Sequence, residues 1–192
     1  MTVRNALPSV GPVLFIIAAL AGAGCTHKTD AARELGSAVA PFSRARDQTV
    51  ALVTAAKHAL GAADLNSLAV TYAALEEKGN GYAGFLVEAV NAGSFDSDVN
   101  AKDAQKLTDA VKAFNKSFAS LAPASLAGTS VPSAWIPQFS QSMEAYWNHY
   151  HEQLAALSPQ AKLDLIKQLK ARVVWPNYEN IATESIAQPT PH

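Results

Sequence analysis

The run Tyr146, Trp147, Asn148, His149, Tyr150, His151 and Glu152 holds the densest set of side chains capable of chemistry in this chain. On a helix, residues three and four apart share a face, so His149 and Glu152 could hold a metal jointly, with imidazole nitrogen and carboxylate oxygen as donors. His151 lines up with Glu144, seven residues before it. The alternative reading of the same run is structural: the rings pack in a core while the His and Glu side chains stay in water. His149, His151 and Glu152 are therefore candidate ligand or metal residues, set against the expectation that no metal is bound specifically.

Other chemistries find less support. Ferritin-like di-metal sites resemble the run superficially, but they use Glu-x-x-His on two helices plus two further Glu from facing helices. Here the order is reversed and no second copy exists; Glu76, Glu77 and Glu88 are partners without a pattern. The single cysteine rules out Cys-x-x-Cys-His haem attachment, and nothing in the sequence sets Met143 opposite His58 as an axial pair. No Gly-x-Ser-x-Gly elbow is present. Gly79, Asn80 and Gly81 lack the preceding strand and the Lys-Ser/Thr pair of a phosphate-cradling loop. No catalytic residue and no cofactor is assigned.

The elements that must carry these residues are helical. Alanine is abundant and β-branched runs are scarce. Phe42, Ala45, Thr49, Leu52, Val53, Ala56 and Leu60 recur at helical spacing, and Gly61 is placed to end that helix. Asp64 is placed to cap the next, whose stripe runs Leu65, Leu68, Tyr72, Leu75, Gly79, Tyr82, Leu86 and Ala89. Lys78, Gly79, Asn80 and Gly81 would make a good turn, but the stripe keeps its phase across them, and one long helix, kinked or straight, explains that phase. A loop at 93–98 precedes a helix that Asn100 and Asp103 would cap, with Ala104, Leu107, Val111, Phe114, Phe118 and Leu121 inward and Lys102, Lys106, Asp109, Lys112 and Lys116 mostly outward. Pro123 stops it. A Pro-, Ser- and Gly-containing connection at 122–133 leads to the aromatic stripe Trp135, Phe139, Met143, Tyr146, Tyr150, Leu154 and Leu157. Ser158 and Pro159 restart a helix whose stripe reads Leu163, Ile166, Leu169 and Val173, as far as Trp175 and Pro176. The expected fold is all-α: an antiparallel bundle of about four main helices with a shorter C-terminal helix. Short links make the first three main helices antiparallel neighbours. The aromatic stripe on 135–147 is read as core, with an exposed partner-binding surface as the alternative.

The N-terminal segment is of another kind. Residues 1–24 carry one charge, Arg4, and a short apolar core, Val13, Leu14, Phe15, Ile16, Ile17, Ala18, Ala19, Leu20 and Ala21. That core suits a secretory h-region and is short for a bilayer-spanning helix. It ends in Gly22, Ala23, Gly24 and Cys25, and the chain turns polar at Thr26. The segment resembles the signal peptides of bacterial lipoproteins: a short h-region, small residues before the cut, and a cysteine directly after it. Leu, which the family usually has three positions before the cysteine, stands here at Leu20, with Gly22 at that position. The resemblance covers about the first 26 residues. It implies cleavage after Gly24 and lipidation of Cys25; two or more acyl chains hold a protein stably on a membrane where one does so marginally. Thr26 rather than Asp after the cysteine is similar to the enterobacterial pattern for outer-membrane sorting, with the protein facing the periplasm. The alternatives are an ordinary cleaved signal ending Ala21-x-Ala23, which leaves a soluble secreted protein, and an uncleaved anchor.

The expected division is thus 1–24 signal peptide, 25–41 lipid-anchored tether or short helix, 42–187 helical bundle and 188–192 disordered tail. The 192 residues carry a formal net charge of −1, and removing Arg4 changes that by one unit. No polybasic surface or acidic tail emerges, so nucleic acid is not implied. The length suits one domain with a sizeable core, and one cysteine leaves stability to packing rather than to internal disulfides. The expected role is a non-enzymatic binding or scaffolding protein of the cell envelope, anchored to the membrane at Cys25, with an envelope protein as partner. The alternatives are a small-ligand or metal-binding periplasmic bundle and a cell-wall or lipid hydrolase.

Overall fold

Six α-helices account for nearly all of the described chain: α1 (Ala23–Ala38), α2 (Ala40–Ala59), α3 (Ala62–Ala92), α4 (Ser97–Leu121), α5 (Trp135–Ala155) and α6 (Pro159–Val173). The computed structural model describes residues 23–181, with side chains from Asp30 onward. The apolar core of the N-terminal segment, the Cys25 side chain and the tail at 188–192 lie outside the described residues. The all-α expectation holds: four long helices, α2 to α5, form the body with the shorter α1 and α6 packed against it. No strand occurs among the described residues.

Pro41 explains the break between α1 and α2. It has no N–H to offer the carbonyl four residues back and crowds it, and the helix is interrupted at Val39 alone, with Pro41 in the first turn of α2. Ala31, Leu35 and Val39 are fully or almost fully buried, so α1 belongs to the packed body. Phe42 then sits at the hub of an aromatic cluster, with ring centroids 6.0 Å from Tyr82, 5.7 Å from Trp135, 5.4 Å from Phe139 and 6.2 Å from Trp175. Edge-on and tilted rings at these distances are favourable pairings beyond their area burial. They tie α2, α3 and α5 to the segment after α6.

The links differ from the sequence expectation in detail. Leu60 is the C-terminal cap of α2 and is extended, and Gly61 (φ −76°, ψ 166°) is the N-terminal cap of α3 rather than the end of α2. Asp64 lies within the first turn of α3, where its charge suits the helix dipole, instead of capping it. Gly93, at φ 71°, is left-handed and closes α3 through its N–H to Ala89 O at 2.9 Å. Asp96, not Asn100, caps α4: its Oδ1 accepts from the N–H groups of Asp98 and Val99, both at 3.0 Å. Ser158 caps α6 as expected, accepting from Ala161 N–H.

The neighbours differ too. α3 and α4 form the most extensive pair, α5 packs on α4, α1 and α2, and α6 packs on both α3 and α2. α2 and α3 touch only slightly, because α6 and the segment after it fill the space between them. The inward face of α6 is Leu165, Leu169 and Val173, while Leu163 is 53% exposed. Both rows have helical spacing; the position of α3 beside α6 selects the second.

α3 runs unbroken through Gly79, Asn80 and Gly81. The glycine at 79 has a specific cause: a Cβ there would stand 2.6–2.8 Å from three atoms of the Trp175 indole. Gly81 faces open space. Gly81→Ala is therefore expected to raise the unfolding free energy by about 0.5–1 kcal/mol. Gly79→Ala is expected to lower it by about 1–3 kcal/mol despite the same gain in helix propensity, because a rigid ring must move. Thermal or urea unfolding of the two variants side by side checks both signs.

Candidate functional site

The residues with metal-ligand potential sit near the C-terminal end of α5, and the helix turns them outward. Ile136, Phe139, Met143, Tyr146, Trp147 and Leu154 form the buried face. His149, His151 and Glu152 are exposed. The His149 ring meets Tyr150 edge-on at 4.5 Å. His151 Nδ1 lies 3.2 Å from the Trp147 carbonyl; a carbonyl only accepts, so that nitrogen donates. Glu144 accepts from Ser97 Oγ at 3.0 Å. Among the described residues no three His, Cys, Asp or Glu side chains converge as a metal set would. Met143 is buried while His58 is exposed near the end of α2, so the two share no pocket. The aromatic stripe itself is bundle core, with Trp135 and Tyr150 at its half-buried margin.

A concavity lies elsewhere, between α1 and α6. It is an open groove of about 650 Å³, within the size range of small-ligand sites. Leu35, Val39, Leu165 and Leu169 line its base, and Arg33 and Arg172 stand among its polar groups. Arg172 crosses the groove: its Nη1 donates to Gly36 O at 3.1 Å. A Cβ at Gly36 would stand 3.1 Å from the same nitrogen, so a small residue there lets the guanidinium reach the α1 backbone. Arg33 is engaged with Asp30 and Glu34, at 3.3 and 3.0 Å. Sequence spacing gave no sign of this groove, which depends on two helices more than 120 residues apart.

Most buried polar groups bind helices or segments to one another. Tyr82 Oη donates to Asn100 Oδ1 at 2.6 Å, and Asn100 Nδ2 donates to Ser140 O at 3.0 Å and Ser140 Oγ at 2.9 Å. That network joins α3, α4 and α5 inside the core. Burial pushes the Tyr82 hydroxyl well above the usual tyrosine range, so it is a neutral donor at any working pH. Tyr146 Oη donates to Ala31 O at 2.8 Å, tying α5 to α1.

The segment at 174–181 lies along the seam between α2 and α3 and is held from both sides. Asn80 pairs with Trp175 as a strand edge would: Trp175 N–H donates to Asn80 Oδ1 at 2.8 Å, and Asn80 Nδ2 donates to Trp175 O at 3.2 Å. Tyr72 Oη donates to Pro176 O at 2.7 Å. From α2, Arg46 donates to Ala171 O and Val174 O, and Lys57 Nζ donates to Tyr178 O and Ile181 O while lying 4.2 Å above the Tyr178 ring. Asn115 holds the connection at 122–134 by the same two-bond device, with both bonds to Val131 at 2.8 Å.

One group near this segment is unfavourably placed. Partial burial, together with the Glu179 carboxylate, raises the Glu76 carboxyl above its ordinary value. A raised folded-state value means that charged Glu76 opposes folding at neutral pH, and that the penalty vanishes once the carboxyl is protonated in both states. Glu76→Gln is expected to raise the melting temperature at pH 7, with the gain shrinking as the pH falls toward about 4. Melting curves of both proteins across that range check the sign.

Neither a protein-family model, nor a curated protein, nor a solved structure matches this chain.

Proposed function

We propose that this is a lipid-anchored protein of the bacterial cell envelope, attached through Cys25, whose helical bundle binds or scaffolds another envelope component. The observation that carries the reading is the short, nearly uncharged apolar segment ending in small residues and the lone cysteine. By the residue after that cysteine, Thr26, the protein belongs on the outer membrane, facing the periplasm. Support for a binding role comes from how the bundle uses its polar side chains. Asn80, Asn100, Asn115, Tyr72, Arg46 and Lys57 all serve as fasteners between elements, while His149, His151 and Glu152 stand on an open helix face. Among the described residues no helix is long and apolar enough to cross a membrane.

The test is chemical. Protein extracted from membranes is expected to carry a diacylglycerol thioether on Cys25 by mass spectrometry, and Cys25→Ser is expected to leave the membrane fraction or remain unprocessed. A free Cys25 thiol in the membrane-extracted protein would falsify the reading, and a location solely in the inner membrane contradicts its outer-membrane part. A second reading, a small-ligand-binding bundle, is favoured by the volume of the α1–α6 groove. It expects Gln168→Trp, which fills that groove from an exposed position, to abolish ligand binding while the fold survives.

A further inference from the structure

We infer that the bundle stands end-on against a lipid surface, with the turn between α5 and α6 and the first turns of α6 as its contact. The inference rests on the anchor reading above and adds an orientation to it.

The geometry starts from α1 and α5, which run antiparallel. Phe42, just after α1, packs against Trp135 and Phe139 at the start of α5, and Ala31 takes the hydrogen bond of Tyr146 further along. From that bond, α1 continues back to Ala23 and α5 continues forward to Ala155. At about 1.5 Å per residue, each extends roughly 13 Å in the same direction. The α5–α6 turn at 156–158 therefore lies at the height of Cys25. Because α1 is helical back to Ala23, the attachment point is joined to the body by helix, and the bundle is held close to whatever Cys25 is embedded in.

The surface presented there suits an interface with lipid. Ala155, Ala156 and Pro159 are exposed, Leu157 is half-buried, and Leu163, the most exposed leucine of the bundle among the described residues, is 53% exposed on the first turns of α6. An isolated exposed leucine needs no explanation, but this one lies beside an uncharged turn at the anchored end. The charged and titratable groups around it are mixed in sign: His149, His151, Lys162 and Lys167 against Glu152 and Asp164. Such a surface has no strong electrostatic attraction of its own, so the anchor supplies the affinity and the surface sets the orientation. The opposite end, where the connection at 122–134 enters α5, is then held about 30 Å out, the length of α5.

The experiment uses the full chain as produced in bacterial cells, mixed with vesicles of phosphatidylethanolamine and phosphatidylglycerol containing brominated lipid. Cys25 is the one native cysteine, and acylation blocks it, so a fluorophore attaches only at an introduced thiol. Leu163→Cys and Ala127→Cys are exposed positions at the two ends, and circular dichroism checks that both variants remain helical. The expected result is flotation of both with the vesicles and quenching at 163 at least threefold that at 127. Equal quenching at both positions, or stronger quenching at 127, in protein that floats overturns the orientation alone. Protein that stays in the aqueous phase with an unmodified Cys25 overturns the anchor reading, and the orientation with it.

Discussion

Replacing Trp175 with alanine is expected to lower the unfolding free energy by about 3–5 kcal/mol, the range for truncating a large buried aromatic. Trp175 is 1% exposed. It rests on the bare backbone of α3 at Gly79 and faces Phe42 edge-on. Its loss opens a void between α2 and α3 that no neighbour can fill, because the residue beneath it is glycine. Trp175→Phe is expected to cost less. The smaller ring keeps part of the packing, and it removes an indole N–H that has no hydrogen-bond partner in the buried site. Urea unfolding followed by circular dichroism measures both. A cost below about 1 kcal/mol for Trp175→Ala would mean that the segment at 174–181 is not fastened as described.

The second large effect belongs to Asn100. Asn100→Ala takes away the acceptor of Tyr82 Oη and the donor to Ser140, each inside the core. A buried polar group left unpaired costs about 1–3 kcal/mol, and here several are orphaned at once. Adding Tyr82→Phe to Asn100→Ala is expected to recover part of the loss, since the orphaned hydroxyl is then gone; the same Tyr82→Phe change alone destabilises. That reversal of sign between backgrounds is the signature of a coupled network. Strict additivity of the two substitutions contradicts it.

Asn100 also marks where the sequence stopped being legible. Its position just before a helical run makes it read as a cap, and the type is right for one. Only the approach of α3 and α5 reveals it as a core residue, and Asp96 has taken the cap four residues earlier. Spacing within one helix carries no information about which helices face one another. The same limit explains Leu163. Two rows of α6 share the helical period, and the choice of Leu165 as the inward one is made by α3. The expected pairing of α2 with α3 is reduced to a slight contact because the chain after α6 returns to occupy their seam.

What was legible followed from periodicity held over many turns. The stripe from Leu65 to Ala89 keeps its phase across Gly79, Asn80 and Gly81, and α3 is continuous there. The reason for those residues was not legible, because it lies almost a hundred positions away in Trp175. At the candidate site, the shared face of His149 and Glu152 was readable, but the direction of that face was not. Tyr146 and Trp147 fix it, and they are buried on the other side of α5.

The fastening of 174–181 has a kinetic consequence. Its hydrogen bonds join residues 95–128 positions apart, whereas α3 and α4 meet through a short loop. Local contacts form early and distant ones carry a loop-closure cost that delays them. Docking of Trp175 is then a late event, after the barrier to folding has been crossed. Changes at Trp175 should barely slow refolding and should instead hasten unfolding, because contacts missing from the transition state act on the unfolding rate. The last residues of the bundle thus govern how long a folded molecule stays folded, and hardly at all how fast it became so.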